Sequence, residues 1–167
     1  MLYDHSGNRK YLTSKERKAF LNASRNQEDP SVRSFCETLA YTGARISEVL
    51  ALPRARIDCA AEGVVIESLK KRRRGIFRVV PVPIELLNLL DEVHDLSSAD
   101  IDPQAPLWPW CRTTAWRHVK RVMAQAGIPA AFAKPKALRH AFGVQGTQIG
   151  VSLNLLKRWL GHSRLET

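Results

Sequence analysis

The chain has 167 residues, 44% of them hydrophobic and 25% charged, the length of one domain with enough apolar content for a core, which excludes a disordered chain. No run of about 18 uncharged apolar residues occurs and the first residues lack the apolar centre of a signal peptide, so no membrane span is expected and the protein is read as cytoplasmic. The formal net charge of +10 favours a polyanionic partner, nucleic acid before an anionic membrane surface, while Cys36, Cys59 and Cys111, odd in number and without metal-ligand spacing, read as three reduced thiols.

Residues 1–10 read as a flexible leader, and no internal repeat or low-complexity linker follows. Thr13 and Glu16 have capping-box spacing ahead of the helical run KERKAFLNASR. Asp29 and Pro30 open a second helix, with Val32, Phe35, Cys36, Leu39 and Ala40 on one face and Gly43 as its stop. A short helix over 45–50 ends before Pro53. The β-branched run at 63–69 is a strand, the basic stretch with Gly75 is a turn, and 76–80 returns as a second strand closed by Pro81 and Pro83. A helix over 84–93 and a Ser-, Asp- and Pro-rich loop over 96–107 come next. Three further helices are expected: 113–126 closed by Gly127, 137–149 closed by Gly150, and LNLLKRWL, capped by Ser152 and ended by Gly161. The fold class is therefore mainly α with a small antiparallel β-sheet, an α+β domain whose hairpin tip, KKRRR at 70–74, is intensely basic. Lys71, Arg72, Arg73 and Arg74, with Arg78 on the same hairpin, are the expected contacts to the polyanion.

Three separated segments carry residue types with a shared chemistry. In the first, TGARISEVL, the Gly stop places Arg45 at the start of a helix, and Glu48 one turn on can brace it. In the second, KALRHAF, Lys136 and Arg139 share one helix face while Leu138 and Phe142 can anchor the helix. In the third, LGH, His162 follows a helix-stopping Gly. Each alone is an ordinary feature: a surface ion pair, a solvated basic face, a histidine at a helix end. His140 reads as structural. Together they supply what phosphodiester chemistry needs without a metal. Two arginines can clamp non-bridging phosphate oxygens and stabilise charge in a pentacoordinate transition state; a lysine can protonate a leaving 5′ oxygen; a histidine can help bind or activate. No acidic cluster suits Mg²⁺ and no His/Cys cluster suits zinc, so no cofactor is expected.

The order and spacing of these segments resemble the tyrosine recombinases of the phage integrase family. YTGARISEVLAL is similar to the family's first box, TGxRxSEhxxL. KALRHAF is similar to the second, with Lys136 where the family usually has His. RWLGHS is similar to the third, and the hairpin ending in VP lies where the family carries a catalytic lysine. The resemblance extends over roughly 11–167 and implies the tyrosine-recombinase catalytic-domain fold. It implies that Arg45 and Arg139 form the phosphate clamp, Glu48 is the acidic residue of the first box, Lys70 or Lys71 is the hairpin lysine with Lys70 preferred, and Lys136 and His162 complete the set. It implies double-stranded DNA as partner, self-association on DNA as a tetrameric synapse, and cleavage and rejoining of site-specific DNA through a 3′-phosphotyrosyl link. Two departures are noted: no N-terminal core-binding domain is recognised, and the nucleophilic Tyr would fall near position 171, past Thr167. Tyr3, Tyr11 and Tyr41 are poor substitutes, so a chain of this extent is expected to be catalytically incomplete. A non-catalytic DNA-binding regulator on the same fold is the alternative. An RNA-binding basic protein would explain the charge but not the three boxes.

Overall fold

A computed structural model describes residues 2–69 and 74–162. Among the described residues, seven α-helices and one sheet follow in the order α1 Ser14–Arg25, α2 Pro30–Thr42, α3 Ile46–Leu50, β1 Ile57–Asp58, β2 Gly63–Glu67, β3 Phe77–Pro81, α4 Ile84–His94, α5 Arg112–Gln125, α6 Pro135–Gln148 and α7 Leu153–Leu160. The expected mainly helical α+β architecture is what forms, with element ends moved by a residue or two. Helix α1 begins at the Thr13/Glu16 capping box, both reciprocal hydrogen bonds being made. Asp29 caps α2 through Ser31 N–H, and Pro30 occupies its first turn, where a missing N–H costs nothing.

Helix α2 is the central element. It packs on α1, α4 and α6, and its apolar face of Val32, Phe35, Cys36, Leu39 and Ala40 is fully buried. Its buried hydroxyls are satisfied by its own backbone: Thr38 donates to Ser34 O and Thr42 to Thr38 O, each at 2.7 Å. Trp108, just past the long loop, stacks edge-on against Phe35 at 5.2 Å and donates its indole N–H to Ser31 O and Ser34 Oγ. The loop at 96–107 is thus pinned at its end to the core.

The sheet is antiparallel in the order β1-β2-β3, with Val64 opposite Val80 and Ile66 opposite Arg78. Strand β1 is a two-residue addition that the sequence pattern did not single out; it follows a single 3-10 turn, Arg54–Arg56. Pro81 is the last residue of edge strand β3, closing it as expected at a position that tolerates a missing donor. The leader, expected to be flexible, folds back as a small hairpin with a Tyr3–Arg9 bridge. Arg9 holds it there: the guanidinium pairs with Glu16 and lies 4.0 Å over the Phe132 ring.

Candidate functional site

The turn between α2 and α3 sets the first clamp residue. Gly43 stops α2 in the left-handed region at φ 64°, and a Cβ there would sit 2.6 Å from the Phe142 ring, so α6 presses directly on this turn. Arg45 is then the N-cap of α3. Its backbone N–H donates to Glu48 Oε1 at 2.9 Å, and its guanidinium lies 3.5 Å from Glu48 Oε2 while remaining 30% exposed. The brace expected from the three-residue spacing is present.

Arg139 arrives from α6. It is buried, donating from Nη1 to Gly43 O at 2.8 Å and from Nη2 to Leu160 O at 2.6 Å. One guanidinium therefore joins the carbonyl ends of α2 and α7, the two helices whose terminal glycines precede Arg45 and His162. Of five N–H donors, these bonds use two, which leaves others for a ligand. Burial, then the Arg45 and Arg78 charges, push its pKa down to about 10 against the opposing pull of Glu48, so it stays protonated at neutral pH.

These residues share one cleft of about 720 Å³. Arg45, Glu48, Lys136, Arg139 and His162 line it, together with Leu69, Arg112, Trp116, Lys120, Lys134 and His140. His162 follows Gly161, the left-handed cap of α7 at φ 75°, and its N–H donates to Lys157 O at 3.0 Å. Partial burial and the charges of Arg139, Arg45, Lys157 and Arg78 hold the His162 imidazole below its ordinary pKa, which favours the neutral ring. His140 points a buried Nε2 that has no partner among the described residues. Burial and nearby cations, Lys136 first, lower its pKa to about 4.

The hairpin residues divide. Lys70, Lys71, Arg72 and Arg73 lie outside the described residues, and Arg74 is exposed. Arg78 corrects the expectation that it meets DNA alongside the tip. Its side chain is 4% exposed and its nitrogens are engaged within the protein. Nη1 and Nη2 grip Glu48 at 3.1 and 2.9 Å, Nη1 also reaches Ser68 Oγ, and Nε donates to Trp159 O at 2.6 Å. The pleat is the reason: Arg78 lies on the inward face of β3 with Val80, two residues on. The pattern of charge placed it with the tip, and the period of the strand places it in the core.

The sequence reading also missed the far wall of the cleft. Arg112, Trp116 and Lys120 line it at four-residue spacing along α5, with Lys120 Nζ 5.1 Å from the Trp116 ring. That spacing was a readable signal of a shared helix face. Among the described residues no tyrosine lines the cleft. Tyr3 and Tyr11 stack on each other, and Tyr41 lies under Arg17. Among the described residues no group of three His, Cys, Asp or Glu side chains is placed to hold a metal ion, and no helix is long and apolar enough to cross a membrane. What the cleft can do is bind a phosphate: two guanidiniums converge, Lys136 stands at the start of α6, and a neutral imidazole is at hand to exchange a hydrogen bond.

Known proteins resemble this chain in sequence and in fold. Among curated relatives, the tyrosine recombinase XerD of Xanthomonas axonopodis pv. citri (strain 306) is 33% identical over 150 residues, which is 81% of this chain and 48% of that protein. The tyrosine recombinase of Thermosipho africanus (strain TCF52B) is 26% identical over 94% of this chain and 54% of its own length. The chain thus spans about half the length of these relatives. Among solved structures, XerA recombinase superposes with a TM-score of 0.77 at 24% identity, over 92% of this chain and 56% of that one. The XerH site-specific recombinase in a pre-cleavage complex with its difH substrate superposes with a TM-score of 0.79 at 19% identity, over 98% and 53%. These structural likenesses establish the fold. Residues 10–167 match the family model described as the phage integrase family, and the chain belongs to that family.

Proposed function

We propose that the chain binds double-stranded DNA across this cleft and holds the scissile phosphate for the cleavage and rejoining chemistry of a site-specific recombinase, in which a tyrosine that is not among the described residues of the cleft forms the 3′-phosphotyrosyl link. The observation that carries the reading is the convergence of Arg45 and Arg139 on one cleft although they belong to different helices. In this reading both guanidiniums hold the non-bridging oxygens of the scissile phosphate and stabilise the charge of its transition state. Arg139 is oriented by the two carbonyls it already grips, and Arg45 by Glu48. Lys136 and neutral His162 hydrogen-bond the phosphate. Lys70 or Lys71 is the proposed proton donor to the leaving 5′ oxygen, and Arg72, Arg73 and Arg74 add contacts to the DNA backbone. Self-association on DNA as a tetrameric synapse, and action in the cytoplasm, belong to the same proposal.

The tyrosine-free lining of the cleft among the described residues favours a second reading, a DNA-binding regulator without catalysis. The test of the first is duplex binding followed by fluorescence anisotropy across a salt series. Arg45→Ala should weaken binding and lower the slope of log K against log salt by about one, the value of a lost phosphate contact. Wild-type affinity and slope in that variant would place DNA elsewhere.

A further inference from the structure

Arg78 stands outside the cleft yet controls what the cleft offers. The Glu48 carboxylate, 1% exposed, is divided between two arginines. Its Oε1 accepts from the Arg45 N–H and from Arg78 Nη2, both at 2.9 Å, and its Oε2 accepts from Arg78 Nη1 at 3.1 Å while the Arg45 guanidinium stays at 3.5 Å. The fork of Arg78 thus occupies both oxygens. A guanidinium matches a carboxylate bidentately and balances its charge. The buried pair is neutral as a unit, and the charge on Arg45 is left over for a ligand.

We infer that Arg78 is a positioning residue for the phosphate cleft: by neutralising and fixing Glu48 it keeps that carboxylate from capturing Arg45, and it locks the cleft's other parts in register. The second half rests on its remaining bonds. Ser68, at the base of the hairpin, and the Trp159 carbonyl, at the end of α7, are both held by the same guanidinium. Gly161 packs so close that a Cβ there would lie 2.7 Å from Arg78 Nη1 and 3.2 Å from Ser68 Oγ. The glycine preceding His162 is therefore fitted to Arg78, and the position of His162 depends on it. Without Arg78, Glu48 would sit buried beside a single cation and pair with Arg45, turning its guanidinium from the cleft.

The inference rests on the proposed DNA reading for its functional half, so two readouts are used. In duplex-binding anisotropy over a salt series, Arg78→Met is expected to weaken affinity about tenfold and to lower the slope by about one, as Arg45→Ala does, because a charge is lost from the cleft. Adding Glu48→Gln removes the capturing carboxylate, together with its brace on Arg45, and should restore the slope and part of the affinity. A direct contact between Arg78 and DNA, or a merely structural role, gives no such recovery. The second readout uses no DNA: the Arg45 Nε–Hε resonance should shift in Arg78→Met and return toward its original position in the double variant. Arg78→Lys, which keeps one cation, is the substitute should Arg78→Met fail to fold, with the same direction expected at smaller size. An Arg45 signal unmoved by either Arg78 variant, or a folded double variant without recovery, overturns the positioning role. Wild-type chain that binds no duplex overturns the proposed function, and the Arg45 resonance then still decides the inference.

Discussion

Replacing Glu48 by Gln should cost the fold more than any surface charge can. The carboxylate and the Arg78 guanidinium are 1% and 4% exposed and meet at 2.9 and 3.1 Å. The amide has nearly the same shape, but one of its two terminal atoms becomes a donor facing a donor, and a buried guanidinium loses its counter-charge. Breaking one partner of a buried pair typically costs about 3–5 kcal/mol, against about 1 kcal/mol or less for an exposed pair. For a domain of this size that corresponds to a Tm lowered by roughly 6–20 °C. Urea denaturation at pH 7 measures it, with Arg78→Met and the double variant closing a cycle; the double variant should cost about 1–3 kcal/mol less than the sum of the singles. The pH dependence supplies a second check. Burial pushes the Glu48 pKa up, but the Arg78 hydrogen bonds, the Arg45 N–H and both positive charges outweigh it and hold it below the ordinary 4.5. A depressed carboxylate stabilises the fold fully above its unfolded pKa and loses that contribution as pH falls through the folded value. Wild type should therefore show an acid-side loss below about pH 4.5 that Glu48→Gln lacks. A Gln variant within about 1 kcal/mol of wild type, additive with Arg78→Met, would refute the reasoning.

Gly161→Ala forces a side chain into φ 75° and against Arg78, whereas Gly150→Ala meets the same kind of strain at φ 88° with open space around it. Both should lose about 1–2 kcal/mol from the backbone, and Gly161→Ala measurably more, by denaturation; equal losses would mean the Arg78 contact is slack. His94 is buried with its Nε2 at 2.9 Å from Ser34 Oγ, and burial followed by Arg54 lowers its pKa to about 4. Because the unfolded ring binds a proton near pH 6.5, stability should fall as pH drops from about 6.5 towards 4; after solvent screening the His94 share is about 1–2 kcal/mol, absent in His94→Gln. A 167-residue chain with no tyrosine lining the cleft among its described residues should bind duplex DNA yet give no covalent band with a nicked suicide substrate on a denaturing gel. A covalent adduct would redirect attention to Tyr3, Tyr11 or Tyr41.

The sequence was legible where local chemistry decides structure. Thr13 with Glu16, Asp29 with Pro30, and the stops at Gly43 and Gly161 all act within a few residues, and each formed as its pattern implies. Arg45, Lys136, Arg139 and His162 were legible as residue types in order, and helix packing brings them to one cleft. What remained hidden depended on packing. Arg78 was grouped by charge with the tip, although its alternation with Val80 in β3 already put it on the buried face. That it serves Glu48 could not be read, because the two meet only when the sheet lies against α3 and α7. The α5 stripe of Arg112, Trp116 and Lys120 had the right period, but nothing local says which face of that helix looks at α3 and α6. The leader read as flexible, and it is the Arg9 contacts to Glu16 and to Phe132, the latter distant in sequence, that place it.

A structure of this chain bound to a DNA duplex would show directly whether the cleft grips a phosphate. One backbone phosphate is expected within about 3 Å of guanidinium nitrogens of both Arg45 and Arg139, with Lys136 and His162 beside it and Arg78 still closed on Glu48. A duplex seated on any other face, or a phosphate reached by only one of the two arginines, would contradict it.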